Sequence, residues 1–199
     1  MSADTPLRTP NFYGREHELK QMADHLKPGQ PGRTMAVLRG LGSFGKTQLA
    51  RQFQHLHSKH YKSQIWLRPS HFKPMEQGTP LTDIVLHLNE FRSRVLLHSS
   101  TTPFHHLKAR LELETNTEWL LVIDGAEDFP TRYQINTFLP QCEHGTIILT
   151  MARNDRQLRS VLDGQDIHVG KIDATVGAHM FLDKFKAEYP KNIITPRSK

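Results

Sequence analysis

The chain has 199 residues, with 26 Lys and Arg against 20 Asp and Glu, a formal charge of +6 and a pI near 9.5. Its apolar fraction, 37%, is too high for a wholly disordered chain, and its longest apolar run, Trp119 to Ile123, is far too short for a membrane-spanning helix. A single cysteine, Cys142, excludes an internal disulfide and a cysteine-cluster zinc site, and the polar start from Met1 to Thr9 shows no secretory signal, so the expectation is a soluble, intracellular protein of the cytoplasm.

In chain order, residues 1–14 read as an extended lead-in with Pro6, Pro10 and Gly14. Arg15 to Lys27 carries Leu19, Met22, Ala23 and Leu26 at helical spacing. Pro28, Gly29, Pro31 and Gly32 end that helix. Met35 to Leu38 is a short apolar strand, followed by a glycine-rich turn from Gly40 to Gly45 and a helix marked by Leu49, Ala50, Phe53 and Leu56. Ile65 to Leu67 is a second strand. A break with Pro69, Pro74, Gly78 and Pro80 leads to candidate helices over Leu81 to Leu97 and Phe104 to Leu113. Trp119 to Ile123 and Thr146 to Leu149 are further strands. Gln157 to Leu162 is a short helix, Ile167 to Val169 a fifth strand, and Thr175 to Tyr189 a closing helix. Short apolar strands alternating with helices predict a parallel sheet covered on both faces.

The positive charge admits a nucleic-acid partner, but Lys and Arg are scattered among acids and no run of five like charges occurs. Solvated surface is the plainer reading, and an anionic small ligand is the other. The glycines favour the ligand. Gly40-Leu41-Gly42-Ser43-Phe44-Gly45-Lys46-Thr47 fits G-x-x-x-x-G-K-[ST], between a strand and a helix as a phosphate-binding loop requires. Such glycines let backbone N–H groups converge on phosphate oxygens, and the helix that follows presents its positive end. Lys46 supplies a point charge for β- and γ-phosphates, and the Thr47 hydroxyl can ligate Mg²⁺. Leu120 to Asp124 is an apolar strand ending in a carboxylate, which beside such a loop can hold the metal; alone, Asp124-Gly125 would be an ordinary turn. Arg153, just past the strand Thr146 to Leu149, can reach a γ-phosphate, or else is a surface arginine.

These residues in this order resemble the NB-ARC branch of the signal-transduction ATPases with numerous domains, most closely the fungal NOD-like receptors. Phe12-Tyr13-Gly14-Arg15-Glu16-His17-Glu18-Leu19 is similar to that family's F-x-G-R-E-x-E-L opening, which lies against adenine, and so implies contacts from Tyr13 and Arg15. The loop with Gln48-Leu49-Ala50 resembles the fungal G-L-G-G-x-G-K-T-Q-L-A, placing Gly40, Gly42, Ser43, Phe44, Gly45, Lys46, Thr47 and Gln48 around the nucleotide. Gln64 to Leu67 resembles the second strand. Trp119 to Asp128 resembles W-L-L-V-x-D-N-A-D-D, and Leu149 to Asn154 stands where the family has its T-T-R sensor, here Arg153.

The resemblance implies an α/β P-loop NTPase fold: a five-stranded parallel sheet in an order like 5-1-4-3-2, sandwiched between helices. It divides the chain into a lead-in (1–14), a nucleotide-binding domain (15–170) and the start of a truncated helical domain (171–199). It further implies an ATP/ADP switch with Mg²⁺ in immunity or programmed cell death, other domains of a longer receptor as partners (an N-terminal effector, helical and winged-helix domains, C-terminal repeats), and homo-oligomerisation on activation. Nucleic acid and membrane are not expected partners. Ser43 replaces a usual glycine, which a negative φ would allow. Gly125 stands where relatives often carry an acid that polarises water, so hydrolysis is expected to be slow or absent unless Glu127 or Asp128 substitutes. Met151-Ala152 replaces the polar pair before Arg153.

Two further functions fit the same residues. One is a module that holds ADP without useful catalysis; the other is an origin-recognition-like ATPase that loads onto DNA. His55, His57, His60, His105 and His106 have no acidic or cysteine partner at metal-ligand spacing and read as a wet helix end. Trp66 and Trp119 read as core. Cys142 has no activating base nearby in sequence.

Overall fold

The computed structural model describes residues 12–28, 30–68, 103–128, 135, 139–152 and 162–188. The predicted helices at Leu81–Leu97 and Gln157–Leu162 lie outside these residues, apart from Leu162, as do Arg153 and most of the lead-in.

Helix α1 (Glu16–Leu26) precedes strand β1 (Arg33–Arg39), helix α2 (Lys46–Leu56) and strand β2 (Ser63–Leu67). Helix α3 (Pro103–Leu111), β3 (Trp119–Asp124), β4 (Gly145–Met151), β5 (Gln165–His168) and α4 (Ala174–Glu188) follow. The five strands form one sheet in the order β2-β3-β4-β1-β5, all pairs parallel. Read from the other edge this is 5-1-4-3-2, the expected order. Strands β1 to β4 extend the predicted apolar runs by a residue or two at one or both ends, because parallel pairing to a neighbour recruits flanking backbone; β5 starts two residues before the predicted Ile167 and ends one before the predicted Val169.

Alternation divides the core into two layers. Met35, Val37, Ile65, Leu67, Trp119, Leu121, Ile123, Ile147, Leu149 and Met151 face one side, where Leu107 and Leu111 of α3 pack. Ala36, Leu38, Trp66, Leu120, Val122 and Ile148 face the other, against Met22 and Leu26 of α1 and Leu49, Ala50 and Phe53 of α2. Strands with apolar residues on both faces are stable only when helices cover both faces, so the near-continuous apolar runs and the layered fold are one fact. Trp66 and Trp119 are both core, on opposite faces.

Helix α4 differs from the others: it buries none of its residues, and Phe181 is 67% exposed. Its start is fixed by Asp173, whose carboxylate accepts from the Thr175 N–H at 2.8 Å and is held below the usual carboxylate range by that bond. No helix among the described residues is long and apolar enough to cross a membrane.

Candidate nucleotide site

Parallel strands deliver their carboxyl ends to one edge of the sheet, and the glycine-rich loop leaves β1 there. Gly40 sits where β1 meets the residue after β5: a Cβ on it would lie 2.1 Å from the Val169 carbonyl oxygen. The loop therefore begins at a position only glycine can occupy. It ends at Gly45, the N-cap of α2, in the left-handed region (φ 88°). Ser43 is also left-handed, at φ 64°, which corrects the expectation of a negative φ. The loop turns back there, Phe44 N–H donating to Leu41 O at 3.4 Å, and a small polar side chain tolerates the geometry at a cost of about 1–2 kcal/mol.

Helix α2 has no side-chain cap and no acid in its first turn, and its first internal N–H bond runs from Leu49 to Gly45 O at 2.8 Å. That leaves a positive helix end facing the loop without the carboxylate that usually neutralises one. Lys46 is buried and its Nζ donates to the carbonyls of Gly40 and Leu41, both at 2.8 Å. Burial pushes its pKa below the ordinary lysine value, while Glu127 and Asp124 act in the opposite direction.

Asp124 ends β3 and gathers the other groups. Its Oδ1 accepts from the Thr47 hydroxyl at 2.7 Å and from the Thr150 hydroxyl at 2.8 Å, and Arg68 Nε lies 3.3 Å from Oδ2. Thr150 in turn accepts from the Gly125 N–H at 2.9 Å, which locks the turn after β3 to the end of β4. Glu127 Oε1 accepts from the Ala152 N–H at 2.9 Å; its Oε2 is buried and has no partner among the described residues. Asp128 closes a short turn through its N–H to Gly125 O at 3.0 Å and folds over Gly125.

The structure thus brings Lys46, Thr47, Asp124 and Glu127 together at the carboxyl end of the sheet, although β3 lies far from the loop in sequence. Thr150 and Arg68 belong to the same cluster and were missed as site residues by sequence reasoning. The signal for Thr150 was a hydroxyl at the end of an apolar strand; Arg68 had none, because its relevance depends on β2 pairing with β3.

Tyr13 and Arg15, expected beside adenine, both bond other parts of the chain. Arg15 is buried and donates to Phe44 O at 3.0 Å, to Gly170 O at 2.6 Å and to Glu18 Oε1 at 2.7 Å. It braces the phosphate loop against the segment after β5. The Tyr13 hydroxyl bonds the Asp183 carboxylate on α4, which pushes the phenol's pKa up. Elsewhere, burial pushes the Cys142 thiol up, the opposite of a nucleophile's environment. His57 packs against Phe53 with ring centroids 4.5 Å apart, and burial lowers its pKa. Among the described residues no group of three or more His, Cys, Asp or Glu gathers to hold a metal.

The groups present fit a nucleotide and its metal. A hydroxyl and a carboxylate within hydrogen-bond distance are hard oxygen donors of the kind Mg²⁺ takes in small number alongside phosphates. The loop, the bare helix end and Lys46 suit the phosphates. Together they define a P-loop nucleotide-binding domain. Residues 11–163 match the AAA ATPase domain family, and the chain belongs to it.

No curated protein matches the sequence. Among solved structures, Cdc6p from Pyrobaculum aerophilum is similar with a TM-score of 0.56 at 16% identity, covering 93% of this chain and 52% of that one. The ORC2 protein of Aeropyrum pernix, in ADPNP–ADP complexes, is similar with a TM-score of 0.50 at 14% identity, covering 92% and 55%. The chain spans about half the length of these proteins, and at such identity the likeness is one of fold.

Lys46 also sets a pH dependence. A depressed lysine pKa means the charged amine costs the folded state stability below that pKa, a cost relieved as pH rises toward the unfolded value. Phosphate binding has the opposite sign, because it favours the ammonium. Nucleotide affinity is expected to fall as pH rises through the lowered pKa, earlier than an ordinary lysine would titrate, with proton uptake on binding in that range. Titration calorimetry in buffers of different ionisation enthalpy, from neutral to alkaline pH, checks this. Absent proton uptake throughout would contradict it.

Proposed function

We propose that this chain is the nucleotide-binding domain of an ATP/ADP-responsive switch of the NB-ARC type, working in immunity or programmed cell death within a longer multidomain protein. The observation that carries the nucleotide part is the meeting of Lys46, Thr47 and Asp124 at the carboxyl end of the sheet, with Thr47 Oγ1 2.7 Å from Asp124 Oδ1. Lys46 would hold the β- and γ-phosphates, and Thr47 and Asp124 the Mg²⁺. The metal, when bound, neutralises phosphate charge and polarises the terminal phosphoryl group. Arg153 is the proposed reader of the γ-phosphate. The ADPNP–ADP complexes of the Aeropyrum pernix ORC2 protein support adenine nucleotides as the ligand class.

Gly125 supplies no side chain to orient water, whereas Glu127 has a buried oxygen, Oε2, without a partner among the described residues, and its other oxygen accepts from the Ala152 N–H. Glu127 is therefore the residue we assign to any residual hydrolysis, ahead of Asp128. In a phosphate-release assay at saturating Mg²⁺-ATP, slow turnover is expected. Glu127→Gln should lower it about 100-fold or more while leaving ATP affinity near that of the wild type. No release by the wild type would instead favour a module that holds ADP without catalysis.

The likeness to Cdc6p supports a second reading, a DNA-loading ATPase, which the net charge of +6 would suit. Salt-dependent DNA binding by the chain would favour it over the switch.

A further inference from the structure

Arg68 immediately follows β2, and because Leu67 pairs with Ile123, it stands level with Asp124 on the adjacent strand. Its Nε is 3.3 Å from Asp124 Oδ2, while Oδ1 is taken by the hydroxyls of Thr47 and Thr150. Both oxygens of the carboxylate assigned to the metal are thus engaged by the protein itself. The Asp124 side chain is only 10% exposed, and a carboxylate so enclosed requires a counter-charge. Lys46 makes no hydrogen bond to it, since its amine bonds Gly40 and Leu41 instead. Arg68, 31% exposed, supplies the positive charge that is ion-paired with it.

We propose that Arg68 is a built-in competitor of Mg²⁺. It neutralises Asp124 when no metal–nucleotide complex is present, and it must leave Oδ2 before that oxygen can serve the metal. The separation of this ion pair is charged against every loading event, so the metal-dependent part of nucleotide affinity is held down. Arg68 acts on the site through Asp124 and is a positioning residue. The inference rests on the metal role assigned to Asp124 above.

Calorimetric titration of the whole chain with ADP, once with Mg²⁺ and once with EDTA, tests it. The quantity read is the ratio of the two affinities. Arg68→Gln keeps length and polarity but removes the charge; the ratio should rise about fivefold, with the EDTA affinity within about twofold of the wild type, which also shows that the site remains folded. Arg68→Lys keeps the charge and should return the ratio toward the wild-type value. A ratio unchanged in Arg68→Gln overturns the proposal alone. A ratio that falls also overturns it, and makes Arg68 a direct contact of the bound metal–nucleotide complex. A wild type that binds ADP equally with and without Mg²⁺ overturns the metal reading together with the proposal.

Discussion

Replacing Lys46 by alanine is expected to weaken nucleotide binding by about two orders of magnitude or more. Charge-assisted hydrogen bonds are each worth about 1.5–3 kcal/mol, and Lys46 is the cation proposed to hold two phosphates, so a loss of about 3 kcal/mol is the lower end of the expectation. The folded state should survive the change. Among the described residues the amine of the free protein bonds the carbonyls of Gly40 and Leu41; Leu41 is 65% exposed, and water can take the place of the ammonium there. The variant should therefore unfold near the wild-type midpoint while titration calorimetry with Mg²⁺-ATP and Mg²⁺-ADP loses its signal. Unchanged affinity in a folded variant would remove nucleotide binding at this loop, and the switch with it.

The largest effect on stability is expected at the opposite end of the sheet. Trp119 opens β3, is fully buried and donates its indole N–H to Leu111 O at 2.9 Å, tying α3 to the sheet. Trp119→Ala should cost about 3–5 kcal/mol in denaturant unfolding, from lost burial and the cavity left behind. Gly145, which opens β4, lies directly against the ring. Its φ is +87°, and a Cβ there would be 2.1 Å from Trp119 Cε2. Gly145→Ala thus combines about 1–2 kcal/mol of backbone strain with an overlap that the indole must move to relieve.

The two positions share one space, so their effects should not add. The double variant should be less destabilised than the sum by about 1 kcal/mol or more, because removing the ring makes room for the methyl group while the strain at φ +87° remains. Additivity would contradict the contact. Residual folded protein should still bind nucleotide, since Trp119 begins the strand whose other end carries Asp124.

The strands and the loop were legible from sequence for physical reasons. Buried parallel strands must be apolar on both faces, so Met35 to Leu38, Trp119 to Ile123 and Ile147 to Leu149 are continuous apolar runs, and punctuation by glycine and proline separates them. The loop was legible because a phosphate cradle constrains backbone conformation as well as side-chain chemistry, which concentrates its signature in a few adjacent residues. Asp124 was expected beside the loop because a carboxylate ending an apolar strand has few other reasons to be there once such a loop is present.

Most side-chain relations between distant segments were not legible from the residues themselves, because they depend on which strands become neighbours, and the strand order was expected only through the family resemblance. Only the placement of β2 beside β3 sets Arg68 against Asp124, and only the pairing of β3 with β4 brings Thr150 to the same carboxylate and Ala152 to Glu127. The lead-in shows the same limit. Its motif marked Tyr13 and Arg15 as polar groups of consequence, but the packing directs Arg15 to the carbonyls of Phe44 and Gly170 and Tyr13 to Asp183. By itself the sequence determined the layered parallel sheet, the phosphate loop and the acid that faces it, since each is written in local pattern. The tertiary structure alone decided which side chains satisfy that acid, because hydrogen-bond partners in a parallel sheet come from segments whose separation along the chain carries no information about their contact.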